Sequence, residues 1–280
     1  LDGLALSAST FARREHRVSL SVLGDLLREA PQYQRLHESL ARRPSTMRAQ
    51  VLGDAEPFAL ATLWRDLAAP TLVITPKPED ARRMYEQLAL WSGDDEQVMH
   101  FAETETLPFE RQVSDSHTTH ERLRVLSALT SVETPRLMVV ASATAIAQKT
   151  LDRGTFTSNI HSLSSGQQVE LEELLDRWRR LGYRFEATAD FPGVVSRRGG
   201  IIDIFPVGAS SPTRIELWGD DVESIRLFDP ESQRSTEMVD SVAVMPARET
   251  LPGLADREGL DRRIGRIDVT PCTDATKARI

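Results

Sequence analysis

Cysteine is almost missing from this 280-residue chain, with Cys272 the single example. That excludes an internal disulfide framework and a multi-cysteine zinc site, and it fits a reducing, cytoplasmic setting. No apolar run approaches the roughly 20 residues a membrane-spanning helix needs, so no membrane partner is expected. The opening Leu1-Asp2-Gly3 has neither the basic nor the apolar segment of a secretory leader. Lysine is scarce as well: of 34 basic residues only Lys77, Lys149 and Lys277 are lysine. The arginine excess reads either as GC-rich codon usage or as selection for a planar fork of donors that grips carboxylates and phosphates. Net positive charge is absent too. At −8 the chain is unsuited to binding nucleic acid by bulk electrostatics, so any such contact needs a local patch. What remains is ordinary globular material, 40% hydrophobic and 27% charged. At about 100–200 residues per domain, the length suggests two domains.

Elements follow from apolar periodicity. Phe11 to Leu27 and Gln32 to Ala41 read as helices. A strand–helix alternation then begins: strand Gln50-Val51-Leu52-Gly53, helix Phe58 to Leu67, strand Thr71 to Thr75, helix Glu79 to Trp91, strand Gln97 to Phe101, helix Thr118 to Leu129, strand Arg136 to Ser142. Alternation of this kind argues a parallel sheet covered by helices, with Thr71 to Thr75 apolar enough to be buried on both faces. Near residue 153 the pattern changes. A strand over Ser158 to Leu163 and an amphipathic helix over Val169 to Leu181 precede strand-like runs at Arg184 to Ala187, Ile201 to Phe205, Arg214 to Trp218 and Val222 to Phe228. Gly219-Asp220-Asp221 reads as a hairpin turn. From Thr250 the chain turns polar and ends at Ile280 without a closing signal, as a fragment would.

Motifs that carry chemistry are few. A phosphate-binding loop needs G-x-x-x-x-G-K-[ST] between strand and helix. The stretch from Val51 keeps Gly53, has Phe58, Ala59 and Leu60 where glycine, lysine and threonine belong, and offers Asp54 and Glu56, which repel phosphate. ATP binding is therefore not expected, and neither is any other cofactor. His117 and His120 could share a helix face beside Asp115 and Glu121, but no metal-ligand spacing results. No G-x-S-x-G or other nucleophile motif occurs, so no catalytic residue is expected. One cluster stands out: Arg177, Arg179, Arg180, Arg184, Arg197 and Arg198. It reads either as a solvated face paired with Glu172, Glu173 and Asp176, or as a docking face for an acidic partner.

The run Arg198-Gly199-Gly200-Ile201-Ile202-Asp203-Ile204-Phe205-Pro206, continued by Arg214-Ile215-Glu216-Leu217-Trp218-Gly219-Asp220-Asp221 and Phe228-Asp229-Pro230, resembles the UvrA-binding domain shared by the excision-repair helicase UvrB and the transcription-repair coupling factors, Mfd. Glu105-Thr106-Leu107-Pro108-Phe109 and Glu121-Arg122-Leu123 resemble the coupling-factor branch. The resemblance implies an α/β architecture: a degenerate RecA-like parallel-sheet domain interrupted by a smaller α+β UvrA-binding domain. The expected division is an N-terminal helical segment at 1–44, the first part of the RecA-like domain at 45–152, the inserted domain at 153–245, and a truncated return at 246–280.

The resemblance also implies a function. The chain is expected to be a non-catalytic adaptor that recruits UvrA to stalled RNA polymerase for nucleotide excision repair. The whole protein would add contacts to RNA polymerase and double-stranded DNA and an ATP-dependent translocase. The alternative is an ATP-dependent UvrB-like helicase fragment that binds damaged DNA. The family's UvrA contacts carry over to Arg184, after Gly182-Tyr183, and to Arg198. Ile202 is expected to share the face of Arg198, and Arg197 to point to the other. An arginine frequent in UvrB two positions earlier is Ser196 here. Arg226, on a later strand, is expected to lie off the docking face.

Overall fold

The computed structural model describes residues 20–42, 46–93, 97–104, 116–130 and 136–251, with isolated positions after 258. The readings of Phe11 to Ser19, of Glu105-Thr106-Leu107-Pro108-Phe109, of Asp115 and of Cys272 lie outside them. Helices and strands mix as an α/β chain requires, and the strands form one parallel sheet and two further sheets.

The first described elements are α1 (Gly24–Arg28) and α2 (Pro31–Ala41). Both are tied to α3 (Glu56–Leu67) through Asp66, which accepts from Arg28 at 2.8 Å and from Tyr33 Oη at 2.6 Å. The parallel unit continues with β1 (Thr71–Thr75), α4 (Pro78–Ser92), β2 (Val98–Phe101), α5 (Ser116–Thr130), β3 (Met138–Ser142) and α6 (Ala143–Ala147). The sheet order is β1-β3-β2. The apolar run of β3 fits its central place, with every residue buried. Ala61, Trp64, Ala81 and Leu88 of α3 and α4 pack on Val98, Met138 and Val140, while Val125 and Ala145 pack on Phe101, Val139 and Ala141 of the other face.

Two expectations fail here. Residues 50–52 are coil that enters a 3-10 turn at Gly53–Ala55, so no strand leads into α3. The run Val51-Leu52 is too short to settle a strand, and neither side chain finds a core. β1 is not buried on both faces: Leu72 and Ile74 are 52% and 55% exposed, because β1 is an edge strand with its second face uncovered among the described residues.

The remaining elements are α7 (Arg153–Ser158), β4 (His161–Ser164), α8 (Leu171–Arg180), β5 (Arg184–Phe185), β6 (Val194–Arg198), β7 (Ile201–Phe205), β8 (Thr213–Trp218), β9 (Asp221–Phe228), β10 (Ser235–Met238) and β11 (Ser241–Val244). The strand expected from Ser158 starts at His161, since Asp152 caps a helical turn by accepting from Thr155 N–H. Strands β10-β9-β8-β7-β6-β5 form a six-stranded sheet, antiparallel except for the parallel β5–β6 pair, and β4 pairs with β11. One face of the large sheet lies under α8. Leu174, Leu175 and Trp178 pack with Val195, Ile202, Ile204, Ile215, Val222 and Ile225.

This core reaches beyond its own sheet. It takes Leu123 from α5 and runs on to Met245 and Ala247. Tyr183 Oη donates to Met245 O at 3.1 Å, and Ala247 N–H donates to Leu181 O at 2.8 Å. Helix α5 therefore serves two cores, Val125 facing the parallel sheet and Leu123 the α8 layer. Beside Leu123, the fully buried Arg122 is ion-paired with Glu249.

Candidate protein-docking face

The end of α8 fixes where Arg184 goes. Gly182 N–H donates to Arg179 O and Tyr183 N–H to Trp178 O, both at 3.0 Å, the pair of bonds that closes a helix with a left-handed glycine. Gly182 has φ +90°, and a Cβ there would stand 2.8 Å from Arg248 Cγ, so no other residue fits the turn without strain. Tyr183 then plugs the core with its ring. Burial pushes its hydroxyl well above the ordinary tyrosine range, despite a hydrogen bond with Val207 N–H. Strand alternation turns the next residue, Arg184, to the opposite face of the sheet from α8.

The hairpin of β6 and β7 places the second arginine. Its pairs are Val194 with Phe205, Val195 with Ile204, Ser196 with Asp203, Arg197 with Ile202, and Arg198 with Ile201. Directly paired residues share a face. Arg198 and Ile201 thus look outward, with Ser196 and Val194 on the same side by alternation. Arg184 pairs with Val194, so it joins them. Arg184 and Arg198 therefore stand on one face of one sheet, left uncovered by the described residues.

The expectation for Ile202 is overturned. It pairs with Arg197, not Arg198, and is fully buried under α8. Counting by twos from Arg198 fails because Gly199-Gly200 form the hairpin turn, which reverses the strand between the two residues. Arg197 does point away from Arg198. It lies at the rim of the α8 face and binds Glu172 of that helix at 2.9 Å. This pairing is the solvated-face arrangement considered for the cluster. Arg179 likewise binds Asp176 and covers the Phe185 ring with its guanidinium 4.6 Å from the centroid. Arg177 and Arg180 lie on the exposed side of α8. The arginine cluster is thus divided between two layers, and only Arg184 and Arg198 reach the outer face.

That face has a polar, well-tied floor. Asp203 receives two bonds from Arg214, at 2.7 and 2.8 Å, and Arg214 also lies over the Phe228 ring. The hydrogen bonds with Asp203 raise the Arg214 pKa further above its usual value. Glu216 accepts from Ser224 at 2.8 Å and Arg226 at 3.2 Å. Arg226 pairs with Arg214 across β8 and β9, so it lies on the same face as Arg184 and Arg198, not apart from them. Its later place in the sequence hid this. By contrast, Arg184 has a loose contact with Glu186 at 3.6 Å and stacks 5.5 Å from the Phe191 centroid. Arg198 has one long bond, 3.3 Å, to Ala187 O. These two guanidiniums keep most of their donor capacity for an outside acceptor.

Among the described residues no group of three His, Cys, Asp or Glu side chains could hold a metal ion. His117 contacts Glu121 at 3.9 Å with an exposed ring, and His120 is half-buried. No described helix is long and apolar enough to cross a membrane.

His161 lies below the docking layer and makes the fold pH-sensitive. Its Nε2 accepts from Trp178 Nε1–H at 3.0 Å. Burial, reinforced by the positive Arg177, pushes its pKa down to about 4; burial with Arg124 and His117 does the same for His120. The unfolded chain binds these protons near pH 6.5, so stability is complete above that value and falls as pH drops toward 4. Both rings are partly solvated, which screens the effect, so the expected loss at pH 5 is on the order of 1 kcal/mol per histidine. Thermal melts at pH 7 and pH 5 check it. His161→Gln, whose amide oxygen can still accept from Trp178, should flatten part of the difference; an unchanged slope would assign the effect elsewhere.

The parallel unit and the six-stranded sheet, one face of which is open among the described residues, define the class: an α/β chain with an α+β interaction domain. Residues 161–249 match the family model of the UvrB interaction domain. The chain therefore carries a UvrB interaction domain, made of α8, the six-stranded sheet and the β4–β11 pair. Over a longer stretch it is 31% identical to the transcription-repair-coupling factor of Bacillus subtilis, across 216 residues that cover 77% of this chain and 18% of that protein. It is 26% identical to the Escherichia coli transcription-repair-coupling factor over 204 residues, 71% of this chain and 17% of that one. It is 27% identical to UvrABC system protein B of Thermosipho africanus over 210 residues, 71% of this chain and 32% of that one. The chain thus spans less than a third of the length of each of these relatives.

Proposed function

We propose that this chain is a non-catalytic adaptor module of a transcription-repair coupling factor, and that it recruits UvrA to stalled RNA polymerase during nucleotide excision repair. The observation that carries this reading is the open outer face, where Arg184 and Arg198 stand together with few partners of their own. The matching UvrB interaction domain and the coupling-factor relatives support it. Arg184 and Arg198 are the primary contacts; Arg197, turned to the α8 side and bound to Glu172, is the weaker candidate. RNA polymerase, double-stranded DNA and an ATP-driven motor belong to the whole protein in this reading, and the setting is cytoplasmic. The division at 45–152 and 153–245 forms part of the same reading, with the core of the second unit running on to Ala247.

The second reading, an ATP-dependent UvrB-like fragment, draws on the UvrABC system protein B relatives. Local chemistry opposes it. At the junction of β1 and α4 stands Thr75-Pro76-Lys77-Pro78, where two prolines remove backbone N–H donors that a phosphate cradle uses. Thr75 Oγ1 is engaged by Lys77 O at 3.0 Å. Neither this junction nor the turn at Gly53 supplies a Gly-Lys-Thr run. Co-elution with purified UvrA, run beside an ATP titration, tests both readings. The expected result is a stable complex and no saturable ATP binding at micromolar concentration. Saturable ATP binding would favour the helicase reading; no complex with UvrA would end the adaptor reading.

A further inference from the structure

Trp218 closes β8 on the outer face, and its side chain is 79% exposed. Folding gains almost nothing from an indole left in water, because burial of apolar area is what stabilises a core. Trp64 and Trp178, by contrast, are core residues, 4% and 0% exposed. Trp218 is held in this position by its neighbours. Leu217 N–H donates to Gly200 O at 2.8 Å, and a Cβ on Gly200 would stand 2.9 Å from Leu217 O, so only glycine allows the two strands to approach this closely. The close approach sets Trp218 beside the Gly199-Gly200 turn. Arg198 and the 39% exposed Ile201 are the next residues on that face. A register shift between Glu216 and Leu217 and the tight turn at Gly219, φ +61°, lock the end of the hairpin.

We propose that Trp218 is the apolar anchor of the docking face, entering an apolar pocket of UvrA whose carboxylate rim pairs with Arg198. This rests on the adaptor reading above. An exposed aromatic on the same face as an underused arginine is the composition of an interface hot spot, and a backbone already held by the hairpin reduces the entropy lost on binding. Charge complementarity selects the partner's chemistry. Ile201 and then Arg198 follow Trp218 on the sheet side of the same face, whereas Asp220 and Asp221 occupy the hairpin tip beyond it. A carboxylate-rimmed pocket is attracted on the first side and repelled on the second, so the footprint extends from Trp218 toward Arg198 and Arg184 and stops at the tip.

The test is the affinity of the full chain for purified UvrA by titration calorimetry, with Trp218→Ala, Trp218→Phe and Arg198→Ala compared with the unaltered chain. The expected result is a loss of roughly 30-fold or more for Trp218→Ala, partial recovery for Trp218→Phe, and unchanged melting temperatures. A blue shift of indole emission on complex formation should be present in the unaltered chain and absent in Trp218→Phe. If Arg198→Ala weakens binding while Trp218→Ala binds normally, the anchor is refuted and the adaptor reading stands. If the unaltered chain does not bind UvrA, the adaptor reading itself fails and the anchor with it.

Discussion

Arg184→Ala and Arg198→Ala should each weaken binding to UvrA by about 30- to 1000-fold and leave the melting temperature close to that of the unaltered chain. The size follows from interface hot spots, which cost on the order of 2–4 kcal/mol on truncation, with each 1.4 kcal/mol worth tenfold. Arginine gives charge-assisted, often bidentate bonds to carboxylates, and its removal leaves the partner's carboxylate without a donor in a desolvated contact. Folding should change by no more than about 0.5 kcal/mol, as for other surface substitutions. The loose 3.6 Å contact of Arg184 with Glu186 and the 3.3 Å bond of Arg198 to Ala187 O give the fold little to lose. Arg226→Ala cannot serve as the control, because Arg226 shares the face and holds Glu216. Arg180→Ala is the better one, exposed on α8 in the opposite layer, and should bind normally. Equal affinity for both variants and the control would place the docking face elsewhere; unfolding of both would make the residues structural.

The elements that build this face differ in how visible they are in the sequence. The strands of the outer sheet were readable where apolar residues alternate and turn residues punctuate, as in Arg214 to Trp218, Gly219-Asp220, and Val222 to Phe228. Helix α8 was readable from its apolar stripe of Leu174, Leu175 and Trp178. What escaped was pairing. β6 lay behind the arginines, although Val194-Val195 and Ile201-Ile202 flank Gly199-Gly200 in the manner of a two-residue hairpin. Recognising that turn would have paired Ile202 with Arg197 and placed it in the core. β10 gave no signal, since all four residues are exposed and hydrogen bonding to β9 alone defines it. Periodicity could not show that Arg226 faces the same way as Arg198, because face relations between strands depend on register across a sheet. Least visible was the pair of Arg122 and Glu249, separated by 127 residues, where only folding creates the relation.

Arg122→Ala should be strongly destabilising, on a par with truncating a fully buried core aromatic. Arg122 is fully buried, and the Glu249 side chain is 11% exposed. Its guanidinium donates from Nε and Nη2 to the two oxygens of Glu249, the second bond at 2.9 Å, and from Nη1 to Ala102 O at 2.7 Å. It also lies 3.9 Å from the centroid of the Phe101 ring. One side chain thus joins α5, the end of β2 and the segment that leaves β11. Truncation removes all of these bonds and leaves a carboxylate and a carbonyl without donors in a desolvated place. Breaking a buried pair from one side costs about 3–5 kcal/mol. For a chain of this size that corresponds to a fall in melting temperature of roughly 5–9 °C. The favourable attraction of the pair offsets the desolvation of its members, so the pair itself contributes much less than its half-removal costs. The double variant Arg122→Met with Glu249→Met should therefore recover most of the lost stability, because neither charge is then left alone. Melts of the two variants beside the unaltered chain decide the matter. A double variant as unstable as Arg122→Ala would show that the bond to Ala102 and the contact with Phe101, rather than the stranded carboxylate, hold this junction together.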